Sequence, residues 1–442
     1  MSHYKPYPTY KDSGVEWLGQ VPEHWIVSRL RHITNGSLSY GANEAAESDD
    51  LRHPRFIRIT DLNEDGTLRE DTFKSLPPDV ARPYLLKDGD ILLARSGATV
   101  GKSFLYRRDM GDACYAGYLI RARLLESKFI PKLFWYCTQS SYYWDFIAGS
   151  NIQATIQNVS GEKYSNLWLA VPPVTEQRSI VSNLDRETAR IDALIEKKTR
   201  VIELLREKRQ ALITHAVTKG LDPNVKMKDS GVEWLGDVPE HWRVMAIKHI
   251  VATPITDGPH ETPEFLDEGV PFVSAEAVSS GRVDFAKIRG FISRNDHERY
   301  SQKYCPQRGD IFMIKSGATT GVTAIVETDD EFNIWSPLAV IRCGELADPY
   351  FVLNFMRSQS FQEAVALSWS YGTQQNIGMG VIGNLAVTVP PLEEQQRIAQ
   401  LAQGKCSRLD ALVEKTECSI DLLKERRSAL ITAAVTGQID LR

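Results

Sequence analysis

Several things are scarce in this chain. None of its 442 residues belong to an apolar run approaching the roughly 20 residues that cross a bilayer. The opening Met1-Ser-His-Tyr-Lys5-Pro-Tyr-Pro carries no apolar signal core, so a cytoplasmic protein is expected. The six cysteines (114, 137, 305, 343, 406 and 418) never form a Cys-x-x-Cys pair, which points to reduced thiols rather than a disulfide framework or a zinc site. Positive charge is not in excess: the net charge of -5 argues against a freestanding nucleic-acid binder, although an assembly can draw a basic groove partly from other chains.

Catalytic signatures are missing too. There is no glycine-rich dinucleotide fingerprint, no Gly-x-Ser-x-Gly elbow and no metal-ligand spacing, and Pro77-Pro78 lies between Leu76 and Asp79 rather than in an Asn-Pro-Pro-aromatic tetrad. Gly97-Ala-Thr-Val-Gly101-Lys-Ser103 resembles a phosphate loop but has three residues between its glycines where that loop has four. Its echo, Gly317-Ala-Thr-Thr-Gly321-Val-Thr323, lacks the lysine.

What the chain has is repetition. Lys11-Asp-Ser-Gly-Val-Glu-Trp-Leu-Gly19 returns unchanged as Lys228 to Gly236, and from Lys11 to Ile33 against Lys228 to Ile250, 17 of 23 positions match. Gly89-Asp-Ile91 followed by Ser96-Gly-Ala-Thr99 recurs as Gly309-Asp-Ile311 followed by Ser316-Gly-Ala-Thr319. Val201 to Thr218 matches Ser419 to Thr436 at 12 of 18 positions. Between these anchors the halves diverge, so one frame carries two different inserts. Two folded copies of one frame are expected to pack about a pseudo-two-fold axis.

Each half closes on a predicted long helix, announced by a proline pair: Val171-Pro-Pro-Val-Thr-Glu176-Gln and Val389-Pro-Pro-Leu-Glu-Glu394-Gln. The 41 residues from Glu176 to Ala216 contain neither proline nor glycine, enough for a rod of roughly 60 Å. Leu184, Ile191, Leu205 and Leu212 fall on one seven-residue series, with Ile195 and Ile202 four positions on; Leu409, Leu423 and Leu430, with Val413 and Ile420, repeat the pattern. Ala402 weakens the second seam at its start, and Gly404 predicts fraying there. Both seams are interrupted by polar residues, Lys198 or Thr416 and Arg209 or Arg427. The pattern predicts that the two helices pair as an antiparallel coiled coil; the alternative is that each packs only on its own domain.

Before each helix, short β-like runs such as Phe56 to Ile59, Asp90 to Leu93, Pro271 to Val273 and Asp310 to Ile314 alternate with turn-rich stretches, and short helices are expected around Pro131 to Ser140 and Pro349 to Phe361. The predicted organisation is α+β: domain 1 over residues 1–174, a spacer helix over 175–222, domain 2 over 223–391 and a second spacer helix over 392–442. Trp17, Trp25, Trp234 and Trp242 read as core anchors. His24 and His241 lack the clustered partners a metal needs.

The candidate nucleic-acid-binding residues fall into three groups. Tight glycine turns expose hydroxyl and N–H groups that suit a phosphate, giving Ser96, Thr99 and Lys102 in one half and Ser316 and Thr319 in the other. Amide-rich segments give Gln157 and Asn158, and Gln374, Gln375 and Asn376, because carboxamides pair bidentately with adenine. The divergent stretches Ser37 to Asp65 and Pro254 to Ser280 give Tyr40, Asn43, Arg55 and Arg58, and His260 and Thr262. Each group also has an ordinary reading as hairpin closure, turn cap or variable surface loop. The clusters Arg206, Lys208, Arg209 and Lys424, Arg426, Arg427 either touch a DNA backbone or form a solvated helix face with Glu207 and Glu425.

Two halves that each open with Gly-Val-Glu-Trp-Leu-Gly-x-Val-Pro-Glu-His-Trp, each carry Gly-Asp-Ile before Ser-Gly-Ala-Thr, and each close with Val-Pro-Pro-x-x-Glu-Gln resemble the specificity subunit of type I restriction-modification enzymes. The resemblance covers essentially the whole chain. It implies two target recognition domains that read the halves of a split double-stranded DNA site, with the helices as spacer and docking surface for modification subunits, two of them, and for restriction and translocase subunits. It further implies that S-adenosylmethionine, ATP and magnesium serve those partners, with no cofactor and no catalysis in this chain. The alternatives are an enzyme with a hidden site, for which Glu196-Lys-Lys198 offers a nuclease-like Glu-x-Lys that Glu414-Lys-Thr416 does not repeat, and a coiled-coil adaptor that binds no DNA.

Overall fold

The computed structural model describes residues 4–45, 47–63, 67–150, 158–371 and 375–442. The chain forms two compact units, one made of Met1–Thr199 with Cys418–Arg442, the other of Arg200–Glu417. Each long helix thus contributes to both. The first runs Val174–Lys219 and the second Leu392–Val435.

At the centre of the first unit is a four-stranded antiparallel sheet in the order Ser39–Tyr40, Leu119–Ala122, Ile91–Ala94, Ser103–Leu105. Successive side chains of a strand point to opposite faces, and the apolar run Ile91-Leu-Leu-Ala94 uses both. Ile91 and Leu93 join Ile120, Phe129, Phe134 and Tyr164 in the cluster that also takes in Leu184, Ile191 and Leu430 from the long helices. Leu92 and Ala94 join Phe104, Tyr115 and Leu119 on the other side. A continuous apolar run, rather than an alternating one, is what a strand covered on both faces requires.

The second unit repeats this plan. Its sheet has the order Thr256–Asp257, Leu338–Ile341, Ile311–Ile314, Thr323–Ile325. Ile311 and Met313 face a cluster with Trp242, Phe351, Phe355 and Ile398, whereas Phe312 and Ile314 face Phe332, Leu338 and Val340. Each unit also pairs its opening strand with the strand before its long helix, Ile26–Arg29 with Trp168–Val171 and Arg243–Ala246 with Ala386–Val389.

The helix starts are built alike. Gln177, buried, donates through Nε2 to the carbonyls of Lys128 and Pro172, each at 2.8 Å, and accepts from Ile130 N at 2.8 Å. Gln395 donates to Leu346 O at 2.9 Å and Pro390 O at 2.8 Å, and accepts from Asp348 N at 2.8 Å. Beside them Glu176 accepts from Tyr7 Oη at 2.6 Å and Trp25 Nε1 at 3.0 Å and lies 2.8 Å from His24 Nε2. Glu394 meets Trp242 Nε1 at 3.2 Å and His241 Nε2 at 2.8 Å. The repeated histidines therefore orient a carboxylate, and the Tyr7 hydroxyl is held protonated by burial and by Glu176.

Three sequence expectations change. Trp17 lies on the surface, 45% exposed, while Trp25 and Trp242 are fully buried. Gly404 does not fray the second helix, which is continuous from Leu392. Burial of Ile398, Ala399 and Ala402 at its start outweighs the cost of about 1 kcal/mol for a helical glycine. The helices expected near Pro131 and Pro349 are each two, Pro131–Cys137 with Ser141–Ser150 and Pro349–Met356 with Gln359–Leu367.

All eleven seam residues are buried or half-buried, with Leu184, Ile191, Ile202, Leu409, Ile420 and Leu430 buried and Ile195, Leu205, Leu212, Val413 and Leu423 half-buried. In the first unit Arg427 Nε lies 2.9 Å from Asp192 Oδ1. In the second, Arg206 Nη2 lies 3.0 Å from Glu417 Oε1 and Arg209 Nε 2.9 Å from Asp410 Oδ1. Among the described residues, no helix is long and apolar enough to cross a membrane.

Candidate nucleic-acid interface

The glycine turns close hairpins. In the first unit Ile91–Ala94 and Ser103–Leu105 pair across a turn that includes Gly97–Thr99, and Gly97 and Gly101 adopt φ of 77° and 86°. A Cβ on Gly101 would stand 2.9 Å from Trp144 Cζ3, so glycine is required there by space as well as by backbone. Lys102 and Thr99 sit at this turn half-buried, and Lys102 lines a cleft of about 1310 Å³ with Arg107, Lys132, Trp135 and Arg427. Thr319 is exposed at the corresponding turn of the second unit.

Other candidates are gathered at the start of each hairpin. Ser96 bridges to Asn158, and Ser316 to Asn376, each in an antiparallel backbone pairing. Gln375 and Asn376 are exposed, and the Gln375 carbonyl accepts from Gly317 N at 3.0 Å. Gln157 and Gln374 lie outside the described residues. Tyr40 is 43% exposed on the neighbouring edge strand, its hydroxyl accepting from Gly161 N at 2.9 Å. Asn43 is exposed, and its Oδ1 occupies the space a Cβ on Gly117 would need.

Arg55 and Arg58 have a different setting. Arg55 is buried and donates to Arg69 O at 2.5 Å, while Arg58 grips Asp61 through Nε at 3.1 Å and Nη2 at 2.7 Å and also donates to Thr72 O at 2.7 Å. Their guanidinium groups organise the insert they belong to. The helix cations Arg206, Arg209 and Arg427 likewise face Glu417, Asp410 and Asp192.

In the second unit the centre of the corresponding region is Asp257, fully buried on its edge strand. Lys303 Nζ lies 2.6 Å from Oδ1, and Lys315 Nζ and His260 Nε2 lie 3.2 Å and 3.1 Å from Oδ2. Burial opposes ionisation of this carboxyl, and the Lys303 and Lys315 ammoniums overcome that opposition, holding it below its ordinary value. Thr262 is exposed a short way along the same loop.

The sequence reading missed the two residues that directly precede its serines, Arg95 and Lys315. Their equivalence is set by the backbone. Arg95 N donates to Tyr118 O at 3.1 Å and its carbonyl accepts from Val159 N at 2.8 Å; Lys315 N donates to Pro337 O at 2.8 Å and its carbonyl accepts from Ile377 N at 2.9 Å. The edge-strand residues beside them correspond as well, since Tyr40 pairs with Ile120 and Asp257 with Ala339. The only sequence signal was position, one residue ahead of a repeated Ser-Gly-Ala-Thr. At matched stations the first unit has a cation on an aromatic ring and the second a cation on a carboxylate.

The fold is a mixed α+β architecture in which polar and charged side chains gather beside the same hairpin in each unit. Residues 239–410 match the family model described as type I restriction modification DNA specificity domain. The chain is 22% identical over 440 residues to the type I restriction enzyme EcoKI specificity subunit of Escherichia coli, covering 95% of this chain and 90% of that one. It is 21% identical over 367 residues to the MjaVIII specificity subunit of Methanocaldococcus jannaschii, covering 82% and 81%. It shares its fold with a chain from a structure of the assembly and conformational transition of the type I R-M system, at TM-score 0.72 and 17% identity over 94% of this chain and 98% of that one. A crystal structure of the HsdS subunit from Thermoanaerobacter tengcongensis gives TM-score 0.53 at 17% identity, covering 95% and 98%. Over residues 239–410 the chain thus matches a type I specificity domain, and over nearly its whole length it is similar to type I specificity subunits.

Proposed function

We propose that this protein is the sequence-specific DNA-recognition subunit of a type I restriction-modification complex, and that each α+β domain reads one half of a bipartite target. The observation that carries this reading is the contrast between frame and insert. Both units use the same sheet order, the same helix-start glutamine and the same Ser-Gly-Ala-Thr hairpin, while the side chains at matched stations beside that hairpin differ in kind, Tyr40 and Arg95 against the buried Asp257 and Lys315. A shared frame with unlike polar surfaces suits two unlike half-sites, because base edges are distinguished by the pattern of donors and acceptors offered to them.

In this reading residues 1–174 and 223–391 are the target recognition domains and 175–222 and 392–442 the spacer helices, which pair antiparallel. The ion pairs of the second unit support that direction: Arg206 meets Glu417 and Arg209 meets Asp410, so one helix ascends in number as the other descends. The helices are also the docking surface for two modification subunits and for restriction subunits. Those partners supply methyl transfer, translocation and cleavage with S-adenosylmethionine, ATP and magnesium, and this chain is non-catalytic. Long-read methylation mapping of cells expressing the chain with its modification subunits tests the reading. A methylated motif of two short sequences separated by an unread gap is expected; methylation without a split motif overturns it.

A further inference from the structure

Arg95 differs from Arg55, Arg58 and Arg123 of the same domain in what its guanidinium meets, although Arg55 also has an unpartnered Nε and Arg55 and Arg121 also rest on aromatic rings, Phe73 and Tyr115. Arg55 and Arg58 donate to backbone carbonyls or to Asp61, and Arg123 is locked onto Asp90 at 2.6 and 2.7 Å. Arg95 Nε is buried without a hydrogen-bond partner, and among the described residues no carboxylate pairs with its guanidinium. Its Cζ instead stands 4.9 Å over the ring of Tyr40. That ring is fixed, because its hydroxyl is the acceptor for Gly161 N. The arginine backbone is fastened on both sides, to Tyr118 and to Val159. Ser96 follows it, Asn158 bridges to Ser96, and Tyr118 is 64% exposed alongside.

A partly desolvated guanidinium without a counter-charge is costly unless something pairs with it. Stacking on an aromatic face holds its plane without using its N–H groups, which leaves a flat donor fork already oriented. That fork matches the O6 and N7 acceptors of guanine in the major groove. The equivalent Lys315 has no fork and is paired with Asp257, so the two stations cannot read the same base edge in the same way.

We propose that Arg95 is a specificity-determining residue of the first domain, its guanidinium held on Tyr40 and donating to a guanine edge in that domain's half-site. The proposal rests on the DNA-recognition reading above. Its test uses the full chain co-assembled with its modification subunits, as wild type, Arg95→Lys and Arg95→Ala, with methylation mapping and with binding to a panel of target duplexes across a salt series. Arg95→Lys keeps the charge and loses the fork. It should retain the salt dependence but lose roughly tenfold or more in discrimination at one guanine, as expected for a bidentate contact. Arg95→Ala should relax the same position, and the other half-site, unchanged in both variants, shows that the complex is folded. The proposal is overturned if both variants keep the full motif, or if binding falls equally on every sequence with the salt slope reduced by about one, the mark of a phosphate contact. A wild-type complex with no split motif would remove the DNA-recognition reading itself, an outcome separate from either of these.

Discussion

Asp90 and Arg123 form a two-pronged ion pair beneath the first hairpin, Nε to Oδ1 at 2.7 Å and Nη2 to Oδ2 at 2.6 Å, with the carboxylate fully buried. Asp310 and Arg342 repeat it, with both contacts at 2.7 Å. The Gly-Asp-Ile motif is thereby explained: the aspartate also accepts from the backbone N–H of Lys87 or Gln307, each at 2.8 Å, and so fastens the turn leading into the central strand. The hydrogen bond to its aspartate raises the pKa of each arginine and keeps it charged.

Removing Asp310 leaves the half-buried Arg342 guanidinium without its carboxylate and the Gln307 N–H without its acceptor, so Asp310→Ala should destabilise the protein by about 3 kcal/mol, the lower end of the range for breaking a buried pair. The double variant Asp310→Leu, Arg342→Met should lose markedly less. Denaturant unfolding of the two variants checks this, and equal losses would show that the pair does not act as a unit.

Glu176 serves three donors at once, and Glu176→Gln replaces a charge-assisted acceptor with a neutral amide that cannot satisfy all of them. A loss of about 1.5–3 kcal/mol is expected, the range for hydrogen bonds to a charged group. The thermal midpoint of Glu176→Gln should fall while Glu187→Gln, on the same helix, leaves it within about 1 °C, as expected for a substitution away from such a network.

The folded Asp257 carboxyl titrates below its ordinary value of 3.8. A depressed carboxyl contributes stability that is fully present above the unfolded pKa and is lost as pH falls through the folded one. Asp257→Asn should therefore be less stable than wild type at pH 6, and the gap should narrow as pH is lowered past about 4. Thermal melts at pH 6 and pH 3 decide it: a gap that does not change with pH would show that the Lys303 and Lys315 contacts are not what stabilises the charge.

The long helices were legible because their apolar residues recur every seven positions and because a proline pair and an acidic first turn mark each start. The exposed stations were partly legible. Ser96 and Asn158 could be named from a motif and an amide-rich segment, but that they bridge each other depends on pairing across 62 residues, which no local pattern encodes. Arg55 and Arg95 show the limit most clearly. In sequence both are arginines in polar surroundings, and only the fold reveals that one is buried against Arg69 O while the other stacks on Tyr40. Glu176 stands in the sequence only as part of the repeated helix-start motif, and its role as acceptor for Tyr7 and Trp25 rests on contacts 169 and 151 residues apart.

The proposed antiparallel pairing of the helices makes a separate prediction. Exchanging the charges of Arg209 and Asp410 one at a time, Arg209→Glu or Asp410→Arg, should place like charges side by side and weaken the second unit, by about 1 kcal/mol for a partly exposed pair. Combining both should restore most of the loss. A double variant no more stable than the singles would place the helices in another register.

The central claim, that each domain reads its own half of the target, is tested most directly by exchanging residues 228–391 for the equivalent domain of a relative with a different target and mapping methylation genome-wide. The account predicts a hybrid motif in which one half-site is replaced and the other kept letter for letter. A motif in which both halves change, or neither does, would contradict it.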